Sequence, residues 1–268
     1  MFNELKDKWF ECSDELLAIN DVSLEYDSSS GKVKALKKVN LNIFPNEFVC
    51  VLGPSGCGKS TLLKILAGFI KPTSGTVTLR GEEVKGIDWH RGVVFQQPPL
   101  FEWFNVKNNV AFGPKMRKVS KEEINKKTDE LLEKVGLKEF ANKKIYELSG
   151  GMKQRVAIAR ALINNPEILL MDEPFGALDA LTREQMQTLI RKIWWETGKT
   201  IFFITHDIDE ALSLGTRVIV MSKHPGTIIK EYNINFTNSY IQEGSSHIKY
   251  TDEYYNKREE ILSLISNN

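Results

Sequence analysis

The sequence predicts an α/β fold with a mixed, largely parallel core sheet, an N-terminal antiparallel β-subdomain and an inserted α-helical subdomain. Three observations carry this expectation. Short apolar runs at Phe48 to Leu52, Ile168 to Met171, Thr200 to Thr205 and Val218 to Met221 are separated by helical stretches, as buried parallel strands with helical crossovers require. The first run leads straight into a glycine-rich loop and then a helical pattern. From about residue 97 to about residue 165 the apolar period becomes helical, so the strands are interrupted and then resume.

At 268 residues and 41% hydrophobic composition, the chain can bury one large α/β core with a subdomain set into it. The expected organisation is a core with its β-subdomain at about 17–96 and about 166–225, a helical subdomain at about 97–165, and a C-terminal tail at about 235–268. Leu17 to Tyr26 mixes β-branched and polar residues, Asp27 to Lys32 (DSSSGK) reads as a turn, and Val39 to Ile43 alternates apolar with polar, which together read as a hairpin. After the strand Phe48 to Leu52, a helix is expected over Thr61 to Ile70, with Leu62, Leu63, Ile65 and Leu66 at helical spacing. In the insertion, Ser120 and Glu123 have capping-box spacing, Ile124, Leu131, Leu132 and Val135 share one face, and Gly136 ends the helix. In the tail, Ile261, Leu262 and Ile265 point to a last amphipathic helix.

Bulk properties exclude several classes of function. Lys and Arg number 36 against 35 Asp and Glu, so no overall field draws the protein to nucleic acid, and none is expected as a partner. No apolar run approaches the ~20 residues of a membrane-spanning helix. The first twenty residues mix acids and bases where a signal peptide would carry its apolar core. Three cysteines, Cys12, Cys50 and Cys57, with no C-x-x-C spacing fit neither a disulfide framework nor a zinc site, and a reducing cytosol suits them.

The chemistry begins at Gly53 to Thr61, GPSGCGKST, which matches the phosphate-loop pattern G-x-x-x-x-G-K-[ST] between an expected strand and an expected helix. Glycines at Gly53, Gly56 and Gly58, with Pro54, Ser55 and Cys57 between them, let the backbone wrap around phosphate oxygens. Lys59 supplies a charge for the β- and γ-phosphates, Ser60 a hydroxyl for Mg²⁺, and Thr61 a contact to the α-phosphate. A glycine-rich turn that binds nothing is the alternative, and the flanking elements argue against it.

Asp172 and Glu173 end the apolar strand of ILLMDEP. Asp172 is suited to the Mg²⁺ shell and Glu173 to polarising an attacking water; taken alone, the pair also reads as a solvated acidic turn before Pro174. His206 follows IFFIT and, taken alone, reads as a capping or packing residue. Tyr26, at a strand end, is placed either to stack on an adenine ring or to serve as an edge residue.

Leu148 to Arg155 reads LSGGMKQR, followed by the helical run VAIARALINN. With this octad the chain resembles the ATP-binding-cassette ATPases, and the resemblance spans nearly its whole length. It implies Tyr26 as the adenine-stacking residue, Gln96 (with Gln97 as the alternative) as the Q-loop residue serving both catalysis and Mg²⁺, Asp179 in the D-loop ALD as a nucleotide-site residue, and His206 as the switch histidine. It further implies ATP with Mg²⁺ and a homodimer in which Ser149, Gly150 and Gly151 cover the nucleotide bound by the other copy. The partners implied are integral membrane permease subunits and an extracytoplasmic solute-binding protein, with this chain peripheral on the cytoplasmic face of the membrane.

GVVFQQPPLFEWFNVKNNVAFG, DALTREQMQTLIRKIWWETGK and THDIDEAL with PGTIIKE are similar to the nitrate, sulfonate and taurine importer group. Phe101, Trp103 and Phe104 read equally as permease-groove contacts or as core of the helical subdomain. Met152 and Lys153 in the signature, Ser60 in the phosphate loop and GALD in the D-loop depart from commoner family choices without removing a needed group. A non-transport cassette ATPase and a P-loop kinase share the phosphate loop; the kinase has no place for LSGGMKQR.

Overall fold

A computed structural model describes residues 14–28, 31–243 and 246–267. Cys12 and most of the N-terminal stretch tested for a leader lie outside the described residues, as do Ser29 and Ser30 of the expected turn. The fold divides into two compact units, one from the described residues up to Asp88 with those from Arg191 onward, the other Trp89–Ile190.

The first unit opens with β1 (Leu17–Ser28) and β2 (Gly31–Ile43), antiparallel, pairing Leu17 with Ile43 at one end and Ser28 with Gly31 at the other, with register shifts between Ile19 and Glu25. Strand β2 begins eight residues before the alternation visible at Val39, because its first four residues are all exposed and carry no apolar period. After β3 (Phe48–Leu52) comes α1 (Lys59–Leu66), then β4 (Ser74–Leu79), antiparallel to β1, and β5 (Glu82–Glu83), giving the sheet order β2-β1-β4-β5. Helix α1 stops short of the expected Ile70. Gly68 sits at φ +78, and a Cβ there would stand 2.1 Å from the Gly86 carbonyl oxygen, so only glycine lets the chain turn against that strand connection.

In the second unit β6 (Arg91–Val94) runs parallel to β7 (Ile168–Asp172), pairing Arg91 with Ile168 through Val94 with Met171. Between them lie α2 (Val106–Met116), α3 (Lys121–Lys134) and α4 (Gly150–Leu162), and α5 (Ala180–Thr197), whose residues from Arg191 onward are counted with the first unit, follows β7. Of the capping box expected for α3, the Ser120 half is present: Ser120 Oγ accepts from the Glu123 amide at 3.2 Å, while the Glu123 carboxylate pairs with Lys127 at 2.7 Å, and Gly136 turns the chain at φ +69. Ile124, Leu132 and Val135 are buried, while Leu131 is half-buried at the margin of the face.

The first unit resumes with β8 (Thr200–Ile204), α6 (Ile208–Leu214), β9 (Arg217–Met221), β10 (Ile228–Asn233), α7 (Phe236–Glu243) and α8 (Asp252–Asn267). Strand β3 is parallel to both β8 and β9, while β10 is antiparallel to β9. Every residue of β3 and β8 is buried, which is why both read as unbroken apolar runs rather than alternations. On α8 the inward face is built on Tyr254 and Ile261; Leu262, expected on that face, is 38% exposed. Among the described residues no helix is long and apolar enough to cross a membrane. The α/β class, with a mixed sheet, an antiparallel β-subdomain and a helical subdomain, is the one the sequence predicts.

Phe48 starts the strand that ends in the glycine-rich loop, and it is fully buried between Trp194 and Phe203, with ring centroids 6.1 and 5.8 Å away. Trp194 is in turn fixed by an indole N–H donated to the Asn46 carbonyl at 2.9 Å. Phe48→Ala is expected to cost about 3 to 5 kcal/mol through lost burial and the cavity left behind. Urea unfolding measures it, and a loss below about 1 kcal/mol would contradict this packing.

Candidate functional site

Strand β3 delivers Leu52 to the mouth of the loop, and three glycines then do different work. Gly53 is buried, and a Cβ there would lie 3.0 Å from the Met221 carbonyl oxygen and 2.9 Å from Cys57 Sγ. Gly56 turns at φ +77 in open space. Gly58, at φ +102, caps α1 without a side-chain hydrogen bond, and a Cβ there would stand 2.7 Å from Leu36 Cδ2. The first amides of α1 are thus presented with no capping side chain, at the positive end of the helix dipole, where they can meet an anion.

Lys59, only 5% exposed, folds back over this loop, its Nζ donating to the carbonyls of Gly53 (2.7 Å) and Pro54 (3.1 Å). Ser55 and Ser60 are exposed and Thr61 is half-buried. Tyr26 is 42% exposed, and its hydroxyl lies 3.4 Å from Thr61 Oγ1. The strand-end aromatic therefore meets the start of the phosphate helix. Cys57 is buried, and burial pushes its thiol up, with the neighbouring Lys59 ammonium opposing the shift.

His206 is exposed at the end of β8. Its neighbours are held by a closed set of bonds. Buried Thr205 donates its hydroxyl to Glu210 Oε2 at 2.5 Å and accepts from the Asp207 amide at 3.1 Å, while Asp207 Oδ1 caps α6 by accepting from the Glu210 amide at 3.1 Å. The C-terminal helix grips the same first turn. The hydroxyl of buried Tyr254 donates to Asp209 Oδ1 at 3.0 Å, and Arg258 Nε lies 3.4 Å from the same carboxylate. Nothing in the periodicity of the tail distinguished Tyr254 from the other aromatics around it.

In the second unit, Gln96 and Glu173 come together around Gly176. A Cβ on Gly176 would stand 2.9 Å from Gln96 Nε2 and 3.7 Å from Glu173 Oε2, so the missing side chain leaves room for both. Asp172 and Glu173 are half-buried at the end of β7. Glu173 takes φ +43, a left-handed backbone unusual for a residue with a side chain.

Ser149 Oγ accepts from the Met152 amide at 3.3 Å and so caps α4, while its own hydrogen stays available to donate. Gly150 is exposed; Gly151 is buried, and a Cβ there would meet Thr182 Cγ2 at 2.5 Å. Asp179 caps the start of α5, and the Thr182 amide at 3.0 Å holds its carboxyl below the usual range.

Two second-unit residues escaped sequence reading. Gln154, within the LSGGMKQR octad and 2% exposed, donates to the Phe95 carbonyl at 3.1 Å and anchors the backbone next to Gln96. Asn109 clamps Phe101 from both sides, its Oδ1 accepting from the Phe101 amide at 2.9 Å and its Nδ2 donating to the Phe101 carbonyl at 3.0 Å. Polar residues inside a helical pattern carry no periodic mark of such jobs. Phe101 and Phe104 are half-buried and cluster with Phe112, whereas Trp103 is 70% exposed. Trp103 nonetheless packs on Phe101 and Phe104, with ring centroids 5.2 and 6.0 Å away.

Residues 36–176 match the ABC transporter family. The chain is 52% identical over 250 residues to the taurine import ATP-binding protein of Roseobacter denitrificans, covering 93% of each chain. It is 44% identical over 245 residues to the protein of the same name from Escherichia coli, covering 91% of this chain and 96% of that one. Among solved structures, it resembles a dimeric ATP-binding cassette in a post-hydrolysis state bound to ADP and Pi. That match has a TM-score of 0.72 and 39% identity, covering 82% of this chain and 99% of the other.

Two expectations follow from the geometry. Tyr254→Phe removes the hydroxyl that holds Asp209 and is expected to lower stability by about 1 kcal/mol; an unchanged denaturation midpoint would show that the bond carries nothing. Because Cys57 is buried and its thiol is raised, less thiolate forms at pH 7 than in a free cysteine. Peptide mapping should find Cys57 alkylated far more slowly in the native chain than in urea, with the rate climbing above pH 9; equal rates would contradict the inward placement.

Proposed function

The chain belongs to the ABC transporter family as an ATP-binding, ATP-hydrolysing subunit, and we propose that the importer it energises carries taurine or another small sulfonate. The observation that carries the substrate reading is the 52% identity, over nearly the full length of both chains, to a taurine import ATP-binding protein. Selection of the solute would rest with permease subunits and an extracytoplasmic solute-binding protein, this chain acting as a peripheral homodimer on the cytoplasmic face of the membrane.

In this reading the amides at the start of α1 and the Lys59 ammonium hold the β- and γ-phosphates, and Tyr26 stacks on the adenine. The hydroxyl of Ser60, the amide oxygen of Gln96 and the carboxylate of Asp172 are the hard oxygen donors that suit Mg²⁺, which would supply charge neutralisation of the phosphates. Glu173 accepts a proton from the attacking water while His206 orients the reacting phosphate end, and ATP and water become ADP and phosphate. Ser149, Gly150 and Gly151 act on the nucleotide of the other copy, where the Ser149 hydroxyl and the start of α4 meet the γ-phosphate, with Asp179 at the same junction. Loss of that phosphate removes the contact both copies share and permits reopening.

Glu173→Gln is expected to slow hydrolysis about 10²-fold or more and to trap an ATP-bound dimer visible by size-exclusion chromatography; wild-type turnover in the presence of the permease would sink the assignment. For the solute, uptake of labelled taurine by cells with and without the intact importer is decisive. Uptake of nitrate or a thiamine precursor in place of taurine would overturn the sulfonate reading while leaving the ATPase untouched.

A further inference from the structure

The turn that joins β9 to β10 touches the phosphate loop at a point where no side chain fits. A Cβ on Gly226 would lie 2.0 Å from the Cys57 carbonyl oxygen and 3.0 Å from Met221 Cε. The φ of Gly226 is outside the left-handed region, so its conformation does not require glycine; the space does. Gly53, at the other end of the loop, is in the same position, with φ outside that region and a would-be Cβ 3.0 Å from the Met221 carbonyl oxygen.

The turn is braced from two directions. Gly226 N–H donates to the Ala35 carbonyl and its own carbonyl accepts from the Lys37 amide, both at 2.9 Å, tying it to β2. Ser222 locks the turn from within. Its amide donates to the Thr227 carbonyl at 2.9 Å, its Oγ accepts from the Thr227 amide at 3.0 Å, and that hydroxyl lies 2.9 and 3.1 Å from the carbonyls of Lys223 and Pro225. Strand β2 also supplies Leu36, which closes on Gly58. The loop from Gly53 to Gly58 is thus walled by β2 on one side and by this turn on another, and its amides can point only where the wall leaves them.

We propose that Gly226, with Ser222 as its lock, is a positioning residue for ATP: it sets where the Cys57 peptide sits and hence the aim of the amides that follow. The inference rests on the reading of this loop as the phosphate site. Neither residue belongs to the Gly53 to Thr61 loop, so the effect on phosphate binding runs through loop geometry; for reacting groups, displacements near 1 Å cost up to about 10²-fold in rate.

The experiment uses the full chain and its Gly226→Ala and Ser222→Ala variants. It measures thermal unfolding, affinity for a fluorescent ATP analogue, and competition by inorganic tripolyphosphate, which has phosphates but no adenine. Gly226→Ala is expected to weaken the ATP analogue and tripolyphosphate by the same factor, about tenfold or more, and Ser222→Ala by about threefold. In ATPase assays kcat/KM should fall more than kcat.

Folded Gly226→Ala with wild-type affinity overturns the inference, as does a loss seen with the ATP analogue and not with tripolyphosphate. Should Gly226→Ala fail to fold, Ser222→Ala decides, since it inserts no atom: weakened tripolyphosphate binding supports the wall and unchanged binding overturns it. A wild-type chain that binds neither ligand overturns the phosphate-site reading itself, and the inference with it.

Discussion

A lysine ammonium taken out of water must find oxygen, and Lys59 is the group around which the nucleotide end of the first unit is arranged. At 5% exposure, it is held by the carbonyls of Gly53 and Pro54, because an unpaired buried charge would be prohibitively costly. For those carbonyls to turn inward, the chain must reverse tightly after β3, and glycines stand where a close approach or a positive φ disfavours a side chain, at Gly53, Gly56 and Gly58. The reversal also turns the amides outward, toward whatever anion arrives. One requirement thus produces both the shape of the loop and its chemistry.

Much of this was legible from sequence for a physical reason. Phe48 to Leu52, Ile168 to Met171 and Thr200 to Ile204 are buried on both faces and appear as continuous apolar runs, and the motif residues lie at their C-terminal ends, where an α/β sheet displays its loops. The capping of α3 by Ser120 was likewise readable, since the bond spans three residues. What escaped reading depends on distant chain. Strand β4 is largely exposed at its start, Gly226 matters only because Cys57 is beside it, and Tyr254 matters only because Asp209, 45 residues earlier, is its partner. Leu262 was read onto the wrong side because one residue's rotation on a helix, about 100°, separates it from buried Ile261.

Several of the motif residues to which chemistry is assigned in the proposal also hold structure. Asp179 caps α5, Ser149 caps α4, and Gln154 fixes the backbone beside Gln96. Caps and anchors of this kind tie the orientation of a helix to the residue that faces the ligand, so a movement of either is felt by the other. The aromatic segment after Gln96 is fixed in the same way, its Phe101 backbone clamped by Asn109 while Trp103 stands out into solvent.

The left-handed backbone of Glu173 sets two kinds of fitness against each other. At φ +43 a glycine or asparagine would relieve roughly 1 kcal/mol of strain, so selection for thermal robustness alone would drift away from glutamate at this position. On the proposed assignment of Glu173 as general base, turnover opposes that drift alongside the interaction this residue makes. In a laboratory library selected for stability alone, residue 173 is therefore a position where stability and the proposed activity would pull in opposite directions.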